Sequence, residues 1–172
     1  MNTKPRNLRQ MLSTLILIFL AAMFIGSFTI PRSLEDIAPE FDPEDVISCE
    51  VFSSEHETIP PLTVNRTYYT FSFDPDSEEY DEFIELLNST RYRKKFSNLF
   101  NDHTHKITLN PDAYIYFNSP MSHFEIRLYG PEITIGSALN RTEFVPRGGE
   151  EFQKDVIDFI FENATLVKKE TN

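Results

Sequence analysis

The sequence predicts an α+β fold: a mainly antiparallel sheet packed against two helices, behind an N-terminal apolar helix. Three observations predict it. Residues 11–30 contain no charged side chain, two later segments repeat apolar residues at helical spacing, and several short segments alternate apolar with polar residues between turn signals. The 16 Phe and 7 Tyr, with no Trp, supply large apolar side chains for the core that a sheet and its helices enclose.

Residues 11–30 (MLSTLILIFLAAMFIGSFTI) would form a helix about 30 Å long, the thickness of a bilayer's hydrocarbon core. Lys4, Arg6 and Arg9 lie in the basic segment 1–10, whereas Glu35, Asp36, Glu40, Asp42, Glu44 and Asp45 follow the run. Cations on one flank hold that flank in the cytoplasm, so the expected topology is a single-pass signal anchor with an extracytoplasmic C-terminal domain. The alternative is a cleaved secretory signal, after which the domain would be secreted. A signal's apolar core is ordinarily about 7–15 residues, shorter than this run. Near its end, Phe24-Ile25-Gly26 and Ile25-Gly26-Ser27 each place a bulky residue two positions before the small one. No Cys follows the run, which excludes a lipid-modified Cys anchor.

Beyond residue 30 the chain retains 13 Lys and Arg, once the three N-terminal cations are set aside, against 27 Asp and Glu, a net charge of −14. That excess argues against a nucleic-acid partner, whose phosphates require cations. It also argues against a domain lying flat on anionic lipid; solubility is the ordinary role of such charge. Cys49 is the only Cys, so the domain has no internal disulfide. Period-two alternation places it with Ile47 and Val51 on one strand face, as a small core residue. Asn65, Asn88, Asn140 and Asn163 stand in N-x-[ST] sequons. A eukaryotic ectodomain of this size would more often carry disulfides, so the chain reads as bacterial and the sequons as chance.

Residues 31–45 are acidic, contain Pro31, Pro39 and Pro43, and read as an extended linker that lifts the domain off the bilayer. The domain itself spans 46–167, with a tail at 168–172. A first strand is expected over 46–53 and a second over 66–73, with Pro60-Pro61 in the loop between them. Asp74 then reads as a helix cap, with Pro75 in the first turn and Asp76 and Glu79 at capping-box spacing. Tyr80, Phe83, Ile84 and Leu87 give that helix its apolar stripe, and Asn88-Ser89-Thr90 ends it. Its acidic N-terminal half suits the helix dipole, as do the four cations of Arg91–Lys95 just past its C-terminus. Contact with a membrane surface or an acidic partner is the other use of that basic cluster. Strands are expected at 105–109, 113–118, 123–129 and 132–136, with an edge strand at Thr142 to Val145. Gly148-Gly149 opens a second helix over 150–162 with Phe152, Val156, Phe159 and Ile160 on its apolar face.

Chemical sites are few. Asp74, Asp76, Glu78, Glu82 and Glu85 match calcium-loop positions, but Glu79 stands where the loop requires Gly, so a capped helix is the better reading. His103 and His105 point the same way on an extended segment and are the best metal candidates, yet zinc needs a third ligand, which only His56, His123 or a distant carboxylate could supply. Surface His before a strand is the simpler account. There is no G-x-S-x-G motif, no Cys in a catalytic setting and no phosphate-binding glycine loop at Gly148-Gly149. No cofactor and no small-molecule ligand is implied.

A basic-flanked apolar N-terminus, an acidic linker, a strand, and then FDPDSEEYDEFIELLNSTRYRKK before a run of strands resembles small uncharacterised extracytoplasmic proteins of Gram-positive bacteria. The likeness covers residues 46–136 and rests on element order and the D-x-[ED]-E … LLN helix. Many such relatives are lipoproteins, from which this chain departs by lacking the lipidation Cys. The resemblance implies an extracytoplasmic location and transfers no site residue.

Three functions follow from this topology. The first is a noncatalytic accessory module binding an envelope protein or the wall, with an exposed aromatic patch including Tyr68, Tyr92, Tyr114 or Tyr116. The second is an envelope enzyme with a dispersed site of His and carboxylates. The third is an acidic immunity or inhibitor protein steered to a basic partner.

Overall fold

The computed structural model describes residues 8–59, 63–95, 112–120, 122–137 and 140–171. Helix α1 (Leu8–Thr29) leads into a short helix α2 (Leu34–Ile37) and a single 3-10 turn, Pro43–Asp45. Then follow β1 (Ser48–Ile59), β2 (Thr63–Phe73), α3 (Glu78–Ser89), β3 (Tyr92–Lys94), β4 (Ala113–Asn118), β5 (His123–Tyr129), β6 (Glu132–Ser137), β7 (Asn140–Pro146), α4 (Glu150–Asn163) and β8 (Thr165–Thr171). Among the described residues, eight strands form one sheet in the order β3-β7-β6-β5-β4-β1-β2-β8, every neighbouring pair antiparallel. The α+β class is as the sequence predicts.

Alternation decides which face is covered. Cys49 and Val51 of β1 share a face with Phe71 and Phe73 of β2, Ile115 and Phe117 of β4, Ile126 and Leu128 of β5, and Ile133 and Ile135 of β6; all are buried. Against them lie Tyr80, Phe83, Ile84 and Leu87 of α3 and Phe152, Val156 and Ile160 of α4. Phe73 stacks on Phe83 at 4.6 Å, and Tyr92 meets Phe152 edge-on at 6.2 Å. The turn into α4 requires both glycines, since Gly148 and Gly149 have φ of 99° and 56°, where a side chain would be strained.

Several elements differ from expectation for local reasons. Residues 31–45 are not an extended spacer. Leu34, Ile37, Ala38 and Phe41 recur at helical spacing beneath the prolines and acids, and Leu34 and Ala38 are buried. Ser33 and Asp36 form a capping box, while Phe41 stacks on Phe124 at 4.3 Å. The segment therefore packs on the domain, and backbone bonds between Arg32 and Tyr92 (2.9 and 2.8 Å) tie it to β3.

Helix α3 starts at Glu78, not after Asp74, because Ser77 caps the Tyr80 N–H at 3.2 Å; Asp74 instead closes the preceding turn by accepting from the Asp76 N–H. The basic cluster lies just past the end of α3, and most of it is strand: exposed Arg91 and Arg93 flank buried Tyr92 at period two. The segment at 142–145 is no edge, since β3 pairs with the outer side of β7. The 168–172 tail is instead largely strand: β8 forms the opposite edge beside β2, with a bulge at Thr70/Phe71. The β1–β2 hairpin is longer than expected and runs to Ile59↔Thr63. The strand expected at 105–109 lies outside the described residues.

Candidate functional site

The face of the sheet opposite α3 and α4 carries the off-beat residues of the same strands. Two cross-strand rows define its centre. One runs Phe52, Tyr114, Arg127, Thr134, Glu143; the next runs Glu50, Tyr116, Glu125, Gly136, Arg141. Phe52 and Tyr114 rings lie 6.2 Å apart, Tyr114 and Tyr116 lie 6.0 Å apart, and Tyr116 stacks on His123 at 5.5 Å. Phe52 is exposed, and Tyr114 and Tyr116 are half-buried, so the rings form a continuous aromatic strip open to contact.

Beside the middle of that strip sits a buried carboxylate. Glu125 is 2% exposed. The Tyr114 hydroxyl donates to its Oε2, Arg127 Nη2 lies 3.2 Å from both of its oxygens, and Arg141 Nε meets Oε1. Gly136 lies between Glu125 and Arg141 in the row, and its missing side chain lets the Arg141 side chain reach across β6. These contacts engage both carboxylate oxygens, so Glu125 ties β4, β5 and β7 together rather than standing as a free base. Arg127 lies over the Tyr114 ring at 4.7 Å, and its buried Nε has no acceptor. Beyond it, Lys95 bonds Glu132 and lies 3.6 Å from Glu143.

The expected site residues divide sharply. His103 and His105 fall outside the described residues, as do Lys4 and Arg6, while Arg9 lies in the first turn of α1. His123 is exposed at the start of β5, with Nδ1 2.9 Å from Asn118 Oδ1. His56 is opposite Arg66 in the β1–β2 hairpin. Among the described residues no three His, Cys, Asp or Glu converge in a metal-binding group. The carboxylates of 74–85 are exposed in the cap and along the solvent side of α3.

Of the four Tyr expected in an exposed patch, Tyr114, Tyr116 and Tyr68 are half-buried on the open face. Tyr92 is not: it is fully buried, its hydroxyl donates to the Leu87 carbonyl at 2.6 Å, and burial raises its pKa. Cys49 is likewise buried, and burial, with a smaller contribution from Glu50, pushes its thiol up. Phe52, Glu125, Arg127 and Arg141 escape sequence reading. Phe52, Glu125 and Arg127 show the off-beat signal of their strands, but the Glu125–Arg141 contact depends on a register no local pattern encodes.

No protein family, curated protein or solved structure matches the chain. The site therefore has to be read from its own geometry. It offers π faces, a guanidinium stacked beside them and a rigid floor, which suit recognition by contact.

Proposed function

We propose that the chain is a single-pass membrane protein with its N-terminus in the cytoplasm, whose extracytoplasmic domain binds an envelope protein through the open face of its sheet. The aromatic strip of Phe52, Tyr114, Tyr116 and His123 beside Arg127 carries this reading. Aromatic and Arg side chains held on a rigid surface are the residues that dominate protein interfaces, because they bury much area for little lost freedom. The other face has no such capacity, since α3 and α4 already cover it. Support for the anchor comes from Gln10–Thr29, which is long and apolar enough to cross a bilayer and almost wholly exposed. A soluble core helix would bury those side chains, because leaving them in water is unfavourable.

The test places a photo-crosslinking amino acid at Phe52, at Tyr116 and, as a control, at Glu82 on the solvent side of α3. After irradiation of intact cells, adducts are identified by mass spectrometry. A discrete protein adduct at Phe52 and Tyr116, absent at Glu82, is expected. Equal labelling at all three positions, or adducts at none, defeats the reading.

A further inference from the structure

We infer that the edge of the domain where β3 meets the end of α1 binds the phosphate of an anionic lipid headgroup. This rests on the reading of α1 as an uncleaved anchor. The Lys94 Nζ lies 5.6 Å from the centroid of the Phe28 ring, and Phe28 itself is buried. Phe28 is two residues short of the end of the apolar run, about 3 Å along a helix axis. The ammonium is therefore level with the boundary between hydrocarbon and headgroups, where a Lys reaches for phosphate.

Its height is fixed rather than free. The paired backbone bonds between Arg32 and Tyr92 run β3 antiparallel to the chain leaving α1, so Lys94 lies back along the helix and Arg32 lies beyond its end. Together they open onto a notch of about 130 Å³, also lined by Ser27, Asp36, Tyr92 and Thr142. That volume admits a phosphate group but not a folded ligand.

Charge points the same way. Arg91 and Arg93 are exposed on either side of Tyr92, and the Arg147 N–H donates to the Arg91 carbonyl at 2.8 Å. With Arg32 and Lys94 these make five of the 13 Lys and Arg beyond residue 30. They gather at one edge of a domain whose net charge there is −14. Glu35 and Asp36 are the nearby anions, and Asp36 is engaged by Ser33, whose hydrogen bonds hold its carboxyl below the usual range, helped by Arg91 and Arg32. A cluster of cations at this one edge allows an acidic domain to stand on anionic lipid without lying flat on it.

The full chain is tested in nanodiscs of phosphatidylcholine with a minority of phosphatidylglycerol, and the lipids it retains on ejection are counted by native mass spectrometry. Phosphatidylglycerol is expected to be enriched over its share of the disc. Arg32→Gln and Lys94→Gln should each lower its retention about fivefold. Lys94→Arg should keep it, and Lys168→Gln, on the far edge strand, should not change it. Thermal melts of the variants establish that the domain still folds. A well-folded Arg32→Gln/Lys94→Gln variant with undiminished enrichment overturns the inference while leaving the anchor intact. Displacement of the lipid by inorganic phosphate alone overturns the lipid as occupant. Extraction of the chain from cell membranes by alkaline carbonate overturns the anchor, and the inference with it.

Discussion

Glu125 and Ile126 are neighbours on β5, both almost fully buried, and they serve opposite faces of the sheet. Ile126 lies among Ile115, Ile135 and the side chains of the two helices, where any apolar residue of similar volume would do. Glu125 is buried only because Tyr114, Arg127 and Arg141 come to it from three strands. One face is held by area removed from water, which is forgiving in direction. The other is held by matched polar groups, which fail if one partner is lost.

The largest test of this contrast is Glu125→Ala. It leaves two guanidinium groups facing an uncompensated site and should cost about 3–5 kcal/mol in urea unfolding. A loss below ~1 kcal/mol would mean the cluster is a surface ion pair, and the contrast would collapse. Ile126→Ala should follow at about 2–5 kcal/mol, the cost of a cavity under the helices. The cysteine on that same covered face gives a chemical check. Cys49, fully buried and with its thiol pushed up, should resist alkylation at neutral pH until denaturant unfolds the domain.

Phe52→Ala and Tyr116→Ala, by contrast, should each cost under about 1 kcal/mol while abolishing the crosslinks of the open face. Equal destabilisation by these and Ile126→Ala would show that the open face is a second core. The smallest effect concerns the segment after α1. Asp36 is hydrogen-bonded by Ser33, and its folded pKa is depressed. Its contribution is therefore present above the unfolded value of about 4 and lost as pH falls through the lower folded value. Asp36→Asn should lower stability slightly at neutral pH, where that contribution is present, and match the parent chain once pH has fallen below the folded value, so that the acid limb of the profile is flatter.

Legibility followed the range of the interactions. The stripe of α3 at Tyr80, Phe83, Ile84 and Leu87 and the alternation of β4 and β5 are local periodicities, and the structure has them where the sequence places them. Residues 34–41 carried a helical stripe too, obscured by three prolines and a run of acids whose composition suggested a spacer. Tyr92 sat among cations and so suggested exposure, but its ring fills the space beside Phe152. Within RYRKK the alternation was too short to distinguish a strand from a charged turn.

By itself the sequence determined the α+β class, an N-terminal helix long and apolar enough to span a bilayer, the apolar faces of two helices and several strands, and the burial of Cys49. Each follows from spacing along the chain, which a short window records. Only the tertiary structure decided the strand order, the return of residues 165–171 to the sheet edge, the seating of 31–45 on the domain, and the union of Glu125 with Arg141. Those depend on which strands lie side by side and in what register. Residues far apart in sequence meet there because the whole sheet buries its apolar face at once, and that cooperative choice leaves no mark in any single segment.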